Sequence, residues 1–417
     1  MTKLLSMPGT NTGIGAIQGV ARQLLDYCQA RDWAGYDPYD ALNSRAFDVL
    51  PISRVKFCRL ALTQFLKNCP INLRPVLMVP PTHNPKGIAL FLAAVLKLSK
   101  LGMAGHEQWI ADLLRKLETL RSPGVPYWCW GYSFAWQTRT LMAPRGAPNV
   151  VCTVFAAEAL LDWFEECGDR RYLGMAASAA DYILNELYWS EGASIAGISY
   201  PTPGCKTLVH NTNFLAAALL CRVACHSGNG KYLEPALKLA RCSADKQQKG
   251  GAWSYGERVS PSQAWKDNFH TGFNLSALKR IGRYAPTTEF TECLSRGYQY
   301  YLQHFFRSDG APKYFDEYVY PIDAHSAGQS LITLSDLKEL HSSSLDLANQ
   351  VSQWSIANLR DREGFFYFQR RRLYTNRIPY MRWSQAWMLL GLATLAEALP
   401  IERNDETPQE GCLAKAI

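Results

Sequence analysis

Polar, aromatic segments alternate with apolar runs of helical spacing at a nearly regular interval along the chain. In the clearest copy, segment 265–270 is polar and aromatic, and Leu275, Ala277 and Leu278 begin an apolar helical run after it. Comparable transitions can be aligned at steps of 66, 58, 60, 55 and 57 residues, with the anchors Lys86, Cys152, His210, His270, His325 and Arg382. Six units of nearly equal length predict a repeat architecture.

Each unit predicts a pair of helices, one apolar and rich in small residues, the other with a charged face. We expect the apolar, inner helices near residues 86–99, 150–166, 211–225, 271–283, 326–340 and 383–398. We expect the outer helices near residues 53–68, 105–119, 170–187, 231–247, 288–305 and 346–359. Ahead of them, residues 14–30 predict another amphipathic helix. Segment 32–43 is interpreted either as a cover of a cavity mouth or as a helix cap with a surface turn.

The connection before each inner helix combines glycine with aromatic residues, as in segment 250–256, which predicts short strands and tight turns. In a ring of hairpins these connections share one end with the positive N-termini of the inner helices. We therefore predict an all-α ring of six helix hairpins with short β-hairpins and aromatic loops at one end. Its parts are an N-terminal helix and cavity-edge segment at 1–52, the barrel at 53–400 and a flexible tail at 401–417.

Composition limits the kinds of binding partner and the cellular compartment that we expect. A formal net charge of +8 over 417 residues falls short of a nucleic-acid-binding surface. The twelve cysteines lack a CxxC pair, which favours a reducing compartment over a disulfide framework. No run is long enough to span a membrane, and residues 1–5 begin like a signal peptide without the apolar stretch that should follow. We expect a cytoplasmic protein of unknown oligomeric state, and no sequence pattern indicates a cofactor or a metal site.

Histidines and carboxylates at the helix starts are the candidate catalytic groups: His210, His270, His325, Asp267 and Asp323. Histidine titrates near neutrality, so two facing imidazoles can act as base and acid. A single histidine at such a position is commonly a cap or a satisfied core residue, and Asp267 and Asp323 are equally well placed as helix caps. Two facing carboxylates would instead suit glycoside hydrolysis.

Candidate substrate-binding residues are aromatic, cationic or amide side chains at the same end. Aromatic faces suit sugar rings or prenyl chains, although many such residues belong to cores. Lys86 and Arg382 share the anchor position and could hold a carboxylate or phosphate. The set comprises Lys86, Trp130, Tyr132, Arg139, Tyr200, Asn211, Asn213, Tyr255, Glu317, Tyr318, Arg382, Trp383 and Gln385, with Trp136 and Trp265 among further aromatics.

Several local motifs resemble those of uncharacterised (α/α)6-toroid proteins from bacterial capsule, exopolysaccharide and O-antigen gene clusters. These motifs occupy residues 35–42, 84–87, 130–132, 210–211, 269–274, 321–326 and 382–387. The architecture is more distantly similar to six-hairpin glycosidases and sugar epimerases. The resemblance implies a role in building or tailoring a surface polysaccharide, with an oligosaccharide or polysaccharide substrate that is either free or lipid-linked. The epimerases resemble this chain in using barrel histidines to shuttle protons.

Four functions remain open on these grounds. The first is acid–base modification of an anionic glycan, such as epimerisation, with His270 and His325 as base and acid. Glycoside hydrolysis or polysaccharide lysis is the second, and non-catalytic glycan binding is the third. The fourth is an isoprenoid toroid, which segment 251–255 resembles, although the DxDD run of cyclases is missing.

Overall fold

A computed structural model describes residues 14–103, 107–138, 141–257 and 264–400. Its α-helices are α1 (Ile14–Gln29), α2 (Arg45–Asp48), α3 (Lys56–Asn68), α4 (Pro85–Lys100), α5 (Glu107–Thr119), α6 (Val150–Cys167), α7 (Arg170–Tyr182), α8 (His210–Ser227), α9 (Leu233–Ala244), α10 (Asn268–Tyr284), α11 (Thr291–His304), α12 (Ala324–Asp336), α13 (Ser344–Leu359) and α14 (Trp387–Ala398). Two π-helices, Ile183–Leu187 and Met381–Ala386, follow α7 and precede α14.

Four of the six inner helices begin after a polar residue, which caps free N–H groups of the first turn. Asn84, Asn149, Asp267 and Asp323 each accept a hydrogen bond from a backbone N–H of the helix that follows. The recurring polar-to-apolar transition is therefore a capped helix start.

The apolar helices form a closed inner ring in the order α4, α6, α8, α10, α12 and α14, and α14 packs against α4. Small residues allow this crowding. A Cβ on Gly328 would lie 2.5 Å from the backbone oxygen of Trp387, and one on Gly391 would lie 2.6 Å from that of Gly328. The backbones of α12 and α14 thus touch at these two glycines.

Five outer helices, α5, α7, α9, α11 and α13, each pack against the inner helix that precedes them in the chain. The sixth outer position is held by α1, which packs against α14, and not by α3 as the sequence interpretation proposed. Burial explains the difference: α1 buries a full apolar stripe from Ile17 to Cys28, whereas α3 buries only Thr63 and Leu66. The segment before residue 53 therefore contributes a helix to the ring.

The connections between the helices contain short antiparallel strands: β1 (Trp136–Gln137), β2 (Met142–Ala143), β3 (Tyr188–Glu191), β4 (Ile195–Ile198), β5 (Leu208–Val209), β6 (Gly256–Glu257), β7 (Ile322–Asp323), β8 (Gln369–Arg370) and β9 (Thr375–Asn376). They pair as β1–β2, β3–β4, β5–β6 and β7–β8–β9. The expected all-α ring with small β-hairpins is confirmed. Among the described helices, none combines the length and the apolar character needed to cross a bilayer. The expected tail at 401–417 lies outside the described residues.

Candidate active site

A cavity of about 230 Å³ opens where the inner helices begin. Every inner helix or its preceding π-helix supplies at least one wall residue from its first turn, among them Lys86, Val151, Asn211, His270, His325 and Arg382. The rest of the wall is almost entirely aromatic and comprises Tyr39, Tyr132, Phe134, Trp136, Tyr200, Tyr255, Trp265, Asp267, Phe269, Phe273, Tyr314 and Trp383. The repeat position thus brings six separate chain segments to one cavity.

His270 forms a hydrogen-bonded pair with Asp267 at the cavity wall. The Oδ2 atom of Asp267 lies 2.7 Å from Nδ1 of His270 and also accepts the indole N–H of Trp265 at 2.9 Å. Its other oxygen caps α10 by accepting the backbone N–H of His270. In the tautomer that donates from Nδ1 to this carboxylate, Nε2 carries the lone pair that can accept a proton. The imidazole keeps 23% of its surface exposed, whereas the Asp267 side chain keeps 1%.

His325 lies between two parallel rings in the same wall. Phe269 and Trp387 stack on it with ring centroids 4.3 and 4.4 Å away and interplanar angles of 21° and 22°. Among the described residues, neither ring nitrogen has a hydrogen-bond partner. Burial lowers the pKa of His325 well below its usual range, and the charges of Lys86 and Arg382 lower it further. This imidazole is therefore neutral, and its two nitrogens are buried polar atoms whose hydrogen-bonding capacity is unused.

Lys86 is a buried amine that lies among aromatic rings. Its Nζ lies 4.4 Å from the ring centroid of Phe155 and 5.1 Å from those of Phe273 and Trp387. No described carboxylate forms an ion pair with it. Burial, with a further contribution from Arg382, lowers the pKa of Lys86 to about 7. The amine can therefore bind an anion or exchange a proton near neutrality.

Arg382, in contrast, is neutralised by Asp37. Its Nε and Nη2 atoms donate to the two carboxylate oxygens of Asp37 at 2.6 and 2.8 Å, in a bidentate geometry. This contact anchors segment 32–43 at the cavity, where Tyr39 joins the wall and accepts a hydrogen bond from Lys67. Of the two interpretations of this segment, the position of Tyr39 favours the cavity edge.

Asp323 lies behind the wall and not in it. It caps α12 and accepts hydrogen bonds from the indole of Trp383 at 3.0 Å and from the amide of Gln369 at 2.8 Å. Burial raises its pKa to about 6. A carboxylate so enclosed orients Trp383, so the expectation that Asp323 acts directly on substrate does not fit its position.

His210 also lies off the cavity wall. Its Nδ1 is 3.2 Å from Oγ of Ser243 and its Nε2 is 3.9 Å from Glu257. Burial lowers the pKa of His210 to about 4. The expected third catalytic histidine is therefore a buried neutral group next to the site, and Asn211, one residue later, reaches the cavity in its place.

Three expected substrate-binding residues are instead structural. Trp130 donates its indole N–H to the carbonyl of Leu117 in the core. Asn213 and Gln385 are fully buried, and each bonds to backbone atoms of a neighbouring segment. Their side chains bond to backbone polar groups and do not line the cavity.

Glu317 and Tyr318 form part of an exposed depression beside Trp265, separate from the main cavity. Arg139 lies outside the described residues. The other expected binding residues, Lys86, Tyr132, Tyr200, Asn211, Tyr255, Arg382 and Trp383, all line the cavity. Sequence reasoning missed Tyr39, Phe134, Val151, Phe269, Phe273 and Tyr314. Of these, Phe269 and Phe273 share the repeat position but resemble ordinary core residues of an amphipathic helix.

In the described part of the chain, no group of three or more His, Cys, Asp or Glu side chains is placed to hold a metal ion. No protein-family model matches the sequence, and no curated protein matches it.

Solved structures resemble the whole fold. Cellobiose 2-epimerase from Bacillus thermoamylovorans has a TM-score of 0.63 at 12% identity, covering 94% of this chain and 100% of that one. Unsaturated glucuronyl hydrolase from Bacillus sp. GL1 has a TM-score of 0.59 at 12% identity, covering 91% and 96%. The GH76 α-mannanase of Bacteroides thetaiotaomicron has a TM-score of 0.55 at 12% identity, covering 75% and 90%. At these identities the similarity shows the fold, and the chain has the (α/α)6 toroid architecture.

Proposed function

We propose that this protein is a carbohydrate-active enzyme that removes and returns a proton at a sugar carbon, as an epimerase does. The observation that carries the proposal is the His270–Asp267 pair, in which an imidazole that lines an aromatic cavity is bound through Nδ1 to a buried carboxylate. A carboxylate behind an imidazole fixes its tautomer and stabilises the imidazolium formed when it accepts a proton.

His325 is the second proton-transfer group in this proposal. Both imidazoles pack on the ring of Phe269, each with a centroid distance of 4.3 Å, so they are neighbours in the wall. Abstraction of a proton next to a sugar carbonyl places negative charge on the carbonyl oxygen. The ammonium form of Lys86 would stabilise that charge in a site of low dielectric constant.

The cavity suits a single sugar ring. Its volume is below the ~300–1,000 Å³ of pockets for drug-sized ligands. The rings of Tyr132, Trp136 and Trp265 offer flat apolar faces to sugar C–H groups. The unpaired Lys86 favours a sugar that carries a carboxylate or phosphate, because Asp37 already neutralises Arg382.

Two comparisons support this class of function. The named activities of the similar structures, an epimerase, a glucuronyl hydrolase and a mannanase, all concern sugars. The local motifs that resemble proteins of surface-polysaccharide gene clusters favour a glycan of that kind, free or linked to a lipid.

Glycoside hydrolysis is less well supported by the wall chemistry. Most glycoside hydrolases use two carboxyl groups that flank the glycosidic bond. Among the described wall residues, Asp267 is the single carboxylate, and Asp323 is enclosed behind Trp383. Lysis shares the proton-abstraction step and differs in the product.

Solvent-hydrogen exchange tests the proposal. Oligosaccharides and uronic acids are incubated with the enzyme in D2O, and deuterium at ring carbons is read by NMR. We expect His270→Ala to reduce incorporation by ~10²–10⁴-fold and His325→Ala to reduce it strongly, whereas His341→Ala, on an exposed turn, leaves it unchanged.

The products separate the alternatives. An epimer with one solvent deuterium supports the proposal, and an unsaturated product indicates lysis. A new reducing end without ring deuterium indicates hydrolysis. Undiminished incorporation in His270→Ala would remove the base assignment.

A further inference from the structure

The surface around α3, outside the ring, exposes a concentration of large apolar side chains. Of the fifteen large apolar side chains that the described residues expose, nine lie within segment 49–78. These are Val49, Leu50, Ile52, Val55, Phe57, Phe65, Ile71, Val76 and Met78. Soluble monomers rarely leave such apolar clusters open to water unless they bind another surface.

Helix α3 turns an apolar side outward. Phe57, Ala61 and Phe65 recur at intervals of four residues and are all exposed, with Phe57 at 77%. On the opposite side, Thr63 and Leu66 are buried. The helix therefore displays an apolar stripe of two turns to solvent.

The β8–β9 hairpin is fixed beside the end of α3 and extends the same surface. Tyr374 donates its hydroxyl to the carbonyl of Asn68 at 3.0 Å, and Asn376 donates to the carbonyl of Cys69 at 3.0 Å. The hairpin tip presents Leu373, which is 92% exposed, next to Arg372. We call segment 45–78 together with tip residues 371–374 the α3 surface.

The charges of the α3 surface are almost all positive. Within segment 45–78 the basic residues outside the core are Arg45, Arg54, Lys56, Arg59 and Lys67, and the hairpin tip adds Arg371 and Arg372. Asp48 is the acidic residue of that segment. A partner must therefore offer an apolar phase directly next to negative charge.

We propose that the α3 surface docks on an anionic lipid bilayer. Acidic headgroups complement the arginines and lysines, and the boundary with the acyl chains accepts exposed side chains such as Phe57, Phe65 and Leu373. A second copy of the chain would oppose the same basic groups to each other. Lysine is also depleted in protein–protein interfaces, whereas here it lies beside the apolar stripe.

The α3 surface borders the cavity mouth. Lys67 of α3 donates to the hydroxyl of Tyr39 at 2.8 Å, and Arg59 donates to Gln137 at 2.9 Å, next to Trp136. Tyr39 and Trp136 both line the cavity. Docking would bring the cavity to the membrane surface, where a glycan carried on a lipid is presented. That consequence depends on the proposed function, whereas the docking itself does not.

Vesicle co-sedimentation tests the docking directly. The full chain is mixed with vesicles of phosphatidylcholine alone, or of phosphatidylcholine with phosphatidylglycerol, at low and high salt. We expect binding to the anionic vesicles, much weaker binding to the neutral ones, and release at high salt because the charges are screened.

Two double variants dissect the surface. Arg54→Glu with Lys56→Glu is expected to weaken partitioning to anionic vesicles at least ~tenfold, because each basic residue near the membrane contributes separately. Phe57→Ser with Phe65→Ser removes apolar area and is expected to weaken it by a similar factor.

Matched changes on other surfaces serve as controls. Lys246→Glu with Lys249→Glu alters net charge by the same amount, and Leu340→Ser removes an exposed apolar side chain elsewhere. These variants should bind like the unaltered protein. Circular dichroism verifies the fold. If the Phe57→Ser, Phe65→Ser variant fails to fold, the Arg54→Glu, Lys56→Glu variant still tests whether the α3 surface binds the vesicles.

Two results would overturn the proposal. One is an unaltered protein that stays in the supernatant with anionic vesicles at low salt. The other is a concentration-dependent dimer that the Phe57→Ser and Phe65→Ser changes dissolve, which would assign the surface to a second copy. Neither result affects deuterium exchange, so docking and the proposed chemistry fail independently.

Discussion

Arg222 and Lys86 are two buried cations at opposite ends of the inner ring, and their surroundings are opposite. At one end Arg222 of α8 forms ion pairs with Glu158, Asp162 and Glu165 at 2.6, 2.7 and 2.9 Å. At the other end Lys86 of α4 is equally buried, and no described carboxylate pairs with it. The two side chains are therefore buried to the same extent, but carboxylates neutralise only Arg222 among the described residues.

The pKa shifts express this contrast. Burial alone would lower the pKa of Arg222, but the carboxylates of Asp162 and Glu158 outweigh it and raise the value. Burial and Arg382 both lower the pKa of Lys86, to about 7. A fully paired buried cation holds helices together, whereas an unpaired one costs stability and is available to a ligand.

The largest expected effect comes from removing the paired cation. Arg222→Met leaves the enclosed carboxylate of Glu158 without its partner and should lower the free energy of unfolding by ~3–5 kcal/mol in urea titrations. The matched change Lys97→Met breaks the more exposed pair with Glu397 and should cost only ~0–1 kcal/mol. Equal losses in the two variants would contradict the contrast between buried and exposed pairs.

The unpaired cation should appear in the pH dependence of stability. Folding lowers the pKa of Lys86 from 10.5 to about 7, so between these values the unfolded chain binds more protons. Stability therefore rises with pH across this window, whereas below about pH 7 the full penalty of burying the charge applies. Relative to Lys86→Met, the unaltered protein should gain up to ~1.4 kcal/mol per pH unit in unfolding free energy. Parallel curves for the two proteins would show that Lys86 keeps an ordinary pKa.

A ligand should supply the missing counter-charge. Lys86→Met is expected to weaken calorimetric binding of a uronic acid by ~1.5–3 kcal/mol, because a charge-assisted hydrogen bond is lost. Binding of the corresponding neutral hexose should change little, and Lys246→Met, at an exposed position, should change neither. An equal loss for both sugars would mean that Lys86 shapes the cavity and does not recognise charge.

The smallest expected effect concerns a polar contact behind the wall. Trp383→Phe keeps a ring in place but removes the N–H that donates to Asp323, and should lower the free energy of unfolding by ~1–2 kcal/mol. Trp163→Phe, on α6 and half-buried, should cost less in the same thermal or urea measurement. A larger loss for Trp163 would indicate that Asp323 does not depend on the indole.

The sequence predicted the ring and the cavity end because both depend on local signals. A polar cap followed by an apolar run marks a helix start wherever it occurs. Closure of the ring was not predictable in this way, since α1 and α3 are both amphipathic. Only the long-range contact of α1 with α14 decides which of them belongs to the outer layer.

The direction of a side chain at a helix start depends on its exact position within the first turn. His210 is the first residue of α8, whereas His270 is the third residue of α10. Each step along a helix turns the side chain by about 100°, so an alignment uncertain by one or two residues cannot tell a wall residue from its neighbour. The same limit applies to Asp267 and Asp323. Both cap helices, but one binds an imidazole and the other a glutamine from a distant hairpin.

The packing of α14 against α4 and α1 determines when the cavity can form during synthesis of the chain. Arg382 and Trp383 precede α14. A nascent polypeptide that has been synthesised only as far as α12 therefore contains His270 and His325 but lacks these two residues of the cavity wall. A sugar bound between Lys86 and Trp383 would contact residues at the starts of both the first and the last inner helix. It would therefore stabilise the contact between α4 and α14 that closes the ring. Occupancy should therefore slow the separation of α14 from α4 and protect the protein from proteolysis.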